Sequence, residues 1–394
     1  MSGGSDVVVV GAGPAGLAAA CQAAESGARV LVMDDNAAAG GQIWRGEQDP
    51  WQERFARSGA ALETGRAVID ERVRERGRTV VLATGARELF LPFPGWTLPG
   101  VVGAGGLQAL IKSGYDVAGK RVVVAGSGPL LYAVAALARE KGASVMLVAE
   151  QAPGAAVAGF VRGLWRHPEK LAQGVGLAMA LGGVEAVRGC WVEEATGRGR
   201  VEGVKMRCGR RVWEESCDVL AAGFGLTPNT ELAEMLGCHV RAGAVETGDW
   251  QQTSVEGVYA AGEVTGIGGV EKSVVEGEIA GLAAAGRRAE AERLFGRRAQ
   301  WRRFGEELGR AFALREEVKR LARGETVLCR CEDVTVGQLR DRAGWREAKL
   351  RTRCGMGACQ GRVCGAITRT LFGWGPSKPR PPLYPTRFED LFSD

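Results

Sequence analysis

The amino-acid sequence predicts an α/β protein in which two Rossmann-like dinucleotide-binding domains are nested, followed by a small cysteine-rich domain. Three observations predict this. An apolar strand runs into a glycine-rich loop near the N-terminus, the same design recurs about 115 positions later, and five of the ten cysteines crowd between Cys329 and Cys364. A chain of 394 residues is long enough for two or three domains.

In the first unit the strand Asp6–Val10 meets Gly11-Ala12-Gly13-Pro14-Ala15-Gly16. An Ala-rich helix follows, and the strand Arg29–Met33 leads to Asp34, eighteen residues after Gly16. A lone GxGxxG is a weak signal. A strand before it, a helix after it and an acid at the end of the next strand form the context that dinucleotide binding requires. Gly11 makes the tight turn, Gly13 admits the pyrophosphate, and Gly16 lets helix and strand pack closely. The helix N-terminus offers free N–H groups to the phosphates. Asp34 is expected to accept the ribose hydroxyls, with Asp35 as the alternative. The strand Val80–Ala86 ends in Ala83, Thr84 and Gly85, residues small enough to pass beneath a bound dinucleotide. The segment Gly257–Gly266 repeats that logic and carries Gly262 and Glu263.

The second unit runs from the strand Arg121–Ala125 through Gly126-Ser127-Gly128-Pro129-Leu130-Leu131 and a helix to Lys141, then into the strand Ser144–Val148. Leu131 stands where the third glycine belongs and crowds the approach of helix to strand. Ala149 falls at the acid position, with Glu150 one step late. The fold is expected here, NAD binding is left open, and a domain that only packs or docks is the preferred alternative. Residues 154–183 read as helical, and Cys190–Glu194, Val201–Arg207 and Val212–Ala221 as short strands. The domain limits expected are 1–100 with 245–285 for the first, discontinuous domain and 101–244 for the second. A helical connector at 286–325, a metal domain at 326–375 and a proline-rich strap at 376–394 complete the chain.

Charge and composition narrow the function. A net charge of +5 makes no case for nucleic acid. The basic stretch Arg287–Arg323, with twelve Arg/Lys against six Glu, reads as the solvated face of a packed helix. No apolar run approaches the roughly 18–20 residues of a membrane span, and no charged-then-apolar leader precedes the first strand. The uneven cysteines suit a reduced, cytoplasmic protein with a metal cluster better than a disulfide framework. No CxxC lies near either nucleotide unit, so there is no dithiol redox pair. His167 and His239 are the only histidines. Neither lies in a catalytic-looking segment, and no acid–base catalyst can be named.

Cys329-Arg-Cys331 and Cys359-Gln-Gly-Arg-Val-Cys364 are separated by 27 residues. Four thiolates suit a [2Fe–2S] cluster or zinc, and the CxC pair is less usual for zinc. Cys354 is a fifth candidate. Gly355, Gly357 and Gly361 would let backbone N–H groups approach the sulfurs, and Arg330, Arg353 and Arg362 add positive charge; both raise a cluster's potential.

Several segments carry a family resemblance. Gly40-Gly41-Gln42, the Ala-Thr-Gly strand and the late Ala-Gly-Glu segment resemble the flavoprotein reductases with two dinucleotide domains. There the late carboxylate binds the flavin ribityl chain; Glu263, one methylene longer than the usual Asp, would shift that contact. Only about 37 residues separate Gln42 from the Ala-Thr-Gly strand, so the family's three-stranded excursion is trimmed to a helix and one hairpin. The cysteine segment resembles bacterioferritin-associated ferredoxin in the form fused to flavoprotein dehydrogenases, which implies a small helical [2Fe–2S] domain. That resemblance implies Cys329, Cys331, Cys359 and Cys364 as the ligands and leaves Cys354 outside.

With Leu91–Val101 and Gly223–Leu232, the likeness runs through nearly the whole chain. It is to the larger subunit of heteromeric opine, D-hydroxyproline and proline dehydrogenases and of hydrogen cyanide synthase, and to part of the sarcosine oxidase alpha subunit. It implies FAD and a [2Fe–2S] cluster in this chain, FMN shared at a subunit interface, and a flavoprotein partner that oxidises the amine, with a further small subunit in some assemblies. An NAD(P)H-dependent flavin reductase and a scaffold holding zinc and an adenine nucleotide are the alternatives.

Overall fold

The computed structural model describes residues 4–47, 49–376 and 378–386. These group into two compact units, one drawn from 1–87, 226–306 and 378–394, the other from 88–225 and 307–377.

The first unit is built on a parallel sheet in the order Val258–Ala260, Gly77–Leu82, Ser5–Val10, Val30–Asp34, Ala61–Thr64. Val7 to Val10, Val30 to Val32 and Val80 to Leu82 are buried, as strands covered by helices on both faces must be. The helix Pro14–Glu25 follows the first glycine loop, and the helix Val270–Ala284 packs along it. Gly277 and Gly281 make that contact close. A Cβ at either would collide with the carbonyl of Ala15 or of Ala19.

Between Gln42 and the Ala-Thr-Gly strand the expected helix is present as Pro50–Arg57, started by an Asp49 capping box. The expected hairpin is not. Ala61–Thr64 instead pairs in parallel with Val30–Asp34, because the helix serves as the crossover that a parallel neighbour requires. Of the proline-rich tail, Leu383 is buried in the first unit's core and its N–H donates to the Ile69 carbonyl at 2.8 Å. Residues 387–394 lie outside the described residues.

The second unit repeats the parallel sheet in the order Val101–Gly103, Val219–Gly223, Arg121–Gly126, Ser144–Glu150, Glu185–Arg188. A second, antiparallel sheet holds Cys190–Thr196, Gly203–Cys208 and Arg211–Ser216. The stretch Val212–Ala221, expected as one strand, breaks at Cys217-Asp218. Its first half joins the antiparallel sheet and its second half enters the parallel one. Asp218 holds the break, accepting the Arg121 N–H and guanidinium at 2.9 Å each. Cys190 and Cys208 face each other in the antiparallel register and form a disulfide. Two of the scattered cysteines, expected as reduced thiols, are thus paired; cross-strand neighbours are close enough to bond.

The cysteine-rich segment forms a hairpin, Val327–Cys329 with Val334–Thr335, and the helices Val336–Arg340, Trp345–Thr352 and Arg362–Phe372. It has no separate core. Leu328, Leu339 and Ile367 belong to the same buried cluster as Leu91, Phe93, Met206 and Leu220. The Trp96 indole N–H donates to the Val327 carbonyl at 2.6 Å.

Replacing Gly281 with valine forces side-chain atoms into the Ala19 backbone and is expected to cost at least about 1–3 kcal/mol. Gly296, whose Cβ position is open, should accept alanine without loss. Thermal unfolding of the two variants checks this, and equal midpoints would refute the close helix contact.

Candidate functional site

The first glycine loop sits at the C-terminal end of the strand Ser5–Val10. Gly11 has φ of 103° and presses on the Ala83 carbonyl, while Gly16 presses on the carbonyl of Gly11. Any Cβ at either position would collide with backbone, so loop, helix and neighbouring strand close only on glycine. The Gly40 N–H donates to the Ala12 carbonyl at 2.8 Å, and Gly41 lies against Gly13. Gln42 is exposed beside them.

Asp34 is buried at the end of its strand. Its carboxylate accepts the Ala12 N–H, and the Asn36 N–H and side-chain amide at 2.7 Å each. Asp34 therefore braces the loop. A carboxylate offers about four acceptor sites, which leaves it room for a ribose hydroxyl. Asp35 is exposed next to it. The Ala83-Thr84-Gly85 turn is clamped by Asn229: Thr84 donates its hydroxyl to the Asn229 carbonyl at 2.7 Å, and the Asn229 amide returns a bond to the Thr84 carbonyl at 2.9 Å.

Glu263 lies in the turn after Val258–Ala260. Its Oε1 accepts the Gly269 N–H at 2.7 Å, while Oε2 is buried with no hydrogen-bond partner among the described residues. Burial pushes its carboxyl above the usual range, and the Lys272 charge opposes this only in part. A buried acceptor left unpaired is unfavourable by about 1–3 kcal/mol. A ligand hydroxyl would supply the missing donor, so the position suits a ribityl chain.

Beneath that turn lies a polar network that the sequence motifs did not reveal. Lys272 donates to the carbonyls of Gly262 and Gly266 at 2.9 Å each and pairs with Glu276 at 2.8 Å. Glu276, fully buried, also accepts the Gly262 N–H and the Arg302 Nε at 2.8 Å. Lys272, Arg302 and these bonds hold its carboxyl below the usual range against the opposing effect of burial. A Lys and a Glu four residues apart in the helix Val270–Ala284 were the available signal. The basic stretch is correspondingly not one solvated face. Arg298 is buried on Asp249 and Arg302 reaches Glu276.

The second loop has the same brace and a different surrounding. Glu150 accepts the Gly128 N–H and the Ala152 N–H at 2.7 Å each, just as Asp34 accepts those of Ala12 and Asn36. Glu150, Gln151 and Ala152 are fully buried, whereas Asp35 and Asn36 are accessible. The cover is the chain's own segment after the helix Phe295–Ala311. Ser127 donates to the Phe312 carbonyl at 2.8 Å, the Gln151 amide to the Ala313 carbonyl at 3.1 Å, and the Arg315 N–H to Gln151 Oε1 at 3.1 Å. Leu131 packs with no exposure against Gly223, the residue equivalent to Ala83. A Cβ at Gly223 would strike the Ala104 methyl and touch Leu131.

In the cysteine segment the sulfurs of Cys329, Cys354 and Cys364 lie within 4.8 Å of one another, all buried. Cys359 hydrogen-bonds to Cys364 and Cys331, and Cys331 is exposed. Cys354, left outside the ligand set that the resemblance implies, lies against Cys329 and Cys364. Hydrogen bonds from Cys354 and Cys364, with the Gly355 and Glu332 N–H groups, hold the Cys329 thiol down to about 2, while its bond to Cys329 pushes Cys354 up to about 12. Four or more soft donors converging this way fit an iron–sulfur cluster or a zinc ion. The glycines have steric duties as well. A Cβ at Gly355 would strike the Trp345 ring, and one at Gly357 would strike Cys331. Arg353 is paired with Glu332 at 2.7 Å, Arg330 lies over the Trp96 ring, and Arg362 reaches the Cys359 carbonyl at 3.3 Å.

Replacing Asp34 with alanine removes a charged acceptor from three donors and should weaken nucleotide retention at least tenfold, from about 1.5–3 kcal/mol per charged hydrogen bond. The check is nucleotide released per mole of protein, with circular dichroism confirming the fold; wild-type retention would refute the bracing role.

A family model described as pyridine nucleotide-disulphide oxidoreductase matches residues 5–289. An opine oxidase subunit of Agrobacterium tumefaciens (strain Ach5) is 32% identical over 98% of this chain and 91% of its own length. Hydrogen cyanide synthase subunit HcnB of Pseudomonas aeruginosa is 32% identical, covering 97% of each protein. Among solved structures, L-proline dehydrogenase from P. horikoshii matches with a TM-score of 0.66 over 99% of this chain and 79% of its own, at 19% identity. That identity is evidence of fold alone. The chain belongs to the pyridine nucleotide-disulphide oxidoreductase family and is an oxidoreductase, with a fold that supports a flavin cofactor.

Proposed function

We propose that this chain is the electron-transfer subunit of a heteromeric, cytoplasmic dehydrogenase acting on an amine or imino acid of the opine, hydroxyproline or proline type. The observation that carries the reading is the coexistence in one chain of a braced, accessible flavin-type loop and a converging group of cysteine thiols.

The residues that would hold FAD are Gly11 to Gly16 at the phosphates, Asp34 at the ribose, Gly41, Gln42 and Ala83 to Gly85 along the cofactor, and Gly262 with Glu263 at the ribityl chain. A [2Fe–2S] cluster would take four of the five cysteine thiolates. When bound, the flavin exchanges electrons in pairs or singly and the cluster singly, which suits a relay rather than C–H bond cleavage. The chain's own residues do the rest. Asp34 and Glu263 orient hydroxyls, the helix N-terminus offsets phosphate charge, and Lys272 with Arg302 keeps Glu276 ionised beneath the Gly262 turn.

Relatives named as subunits support a heteromer, and so does one feature of this chain. The helix Pro168–Ala180 has no buried residue, and residues 171–184 carry no charged side chain. With Trp165 69% and Met179 72% exposed, it offers an apolar face about 20 Å long. Such a face is unusual on a free surface and ordinary at a subunit contact. We assign it to the amine-oxidising partner. The buried second loop weighs against the alternative of an NAD(P)H reductase.

Two measurements test this. Substrate-dependent dye reduction should require both subunits, and NADH should leave the flavin band of the isolated chain unbleached under anaerobic conditions. Dye reduction by the isolated chain with an amine would overturn the reading. The double variant Val175→Glu, Met179→Glu should abolish copurification with the partner while this chain keeps its flavin, and an intact complex would remove the helix from the interface.

A further inference from the structure

Among the five thiols, Cys329, Cys354 and Cys364 are buried, Cys359 is half-buried and Cys331 is exposed. Cys331 therefore marks the edge of the site nearest to solvent, and electron transfer between proteins falls off steeply with distance. The chain fixes its surroundings. A Cβ at Gly357 would strike Cys331, which sets the loop carrying Met356 against it. The Arg353 Nε donates at 2.7 Å to Glu332, the residue after Cys331. Arg330, just before Cys331, is exposed, and so are Lys349 and Arg346, one and two helical turns before Arg353.

Charge is concentrated here. Residues 326–375 carry nine Arg and Lys against four Asp and Glu, an excess equal to the whole chain's net charge of +5. Two of the four acids are spent inside the segment, Glu332 on Arg353 and Glu347 on Arg342. Apolar side chains lie among the cations: Leu350 is 72% exposed and Met356 47%. The uncharged helix Pro168–Ala180 suits a permanent contact. A cationic face with a few apolar residues suits brief encounters, in which charge steers the approach and sets the orientation.

We propose that the face around Cys331, formed by Arg330, Arg346, Lys349, Arg353 and Met356, docks an external electron carrier, a small one-electron protein with an acidic face. The inference rests on the relay of the proposed function and names the chemistry of its acceptor. Each encounter oxidises the metal centre and reduces the carrier by one electron, with no bond formed or broken. A two-electron oxidation of substrate therefore takes two encounters.

The probe is plastocyanin, an acidic blue-copper protein, held as copper(I) so that binding is read without electron transfer. Reduced cytochrome c, a basic carrier, is the counter-probe. Titration calorimetry of the isolated chain and of the copurified complex gives affinities at about 10 mM and about 300 mM salt. Plastocyanin should bind both, at least about tenfold more tightly at the lower salt, and cytochrome c should bind neither. The variant Arg346→Glu, Lys349→Glu should weaken binding at least about fivefold. The variant Arg198→Glu, Arg210→Glu makes the same charge change at exposed turns of the antiparallel sheet, and should alter binding less than about twofold. Flavin content is the folding control. No binding of plastocyanin, equal affinity at both salts, equal weakening by both variants, or binding by the chain but not by the complex overturns the proposal. Iron and acid-labile sulfide per mole test the proposed function separately. A protein without them ends the relay, while the affinities still decide whether this face docks an acidic protein.

Discussion

A buried carboxylate bonded to the N–H of a glycine loop recurs in both units, and each loop's shape depends on it. Ala12 donates to Asp34, and Gly128 donates to Glu150. In each case the acid ends the second strand of its βαβ unit, and the donor lies in the turn leaving the first. The bond ties the two strands that frame the helix N-terminus. That helix can carry a phosphate only while the loop keeps its N–H groups pointing outward.

One brace serves two outcomes because access differs. Around Asp34 the next two residues are accessible, and Asp34 keeps unused acceptor capacity. Around Glu150 the same two positions are sealed by Phe312 to Arg315. The buried acid there spends its acceptors on the Gly128 and Ala152 N–H groups.

The cysteine segment shows how a module can be chemically distinct and structurally dependent. Its thiols converge locally, yet its apolar residues complete the core beneath the antiparallel sheet, with Trp96 bonded to its first strand. That dependence also explains three glycine positions. Gly355 and Gly361 yield to the Trp345 ring and Gly357 to Cys331, so the loop lies close to the sulfurs for packing reasons as well as electrostatic ones.

The sequence by itself determined what depends on short-range spacing: both βαβ units, the glycine loop with Asp34, the Ala-Thr-Gly and Ala-Gly-Glu segments, and the cysteine clustering. Strand period, helix start and loop geometry are local, so local residues encode them. Tertiary structure alone decided the rest. The pairing of Ala61–Thr64, the disulfide between Cys190 and Cys208, and the Lys272–Glu276–Arg302 network all join residues whose partners are chosen by packing. So do the cover over Gln151 and the entry of Cys354 among the thiols. Desolvation sets the physical difference, because whether a polar group binds a ligand or a neighbour depends on which reaches it first in the folded chain.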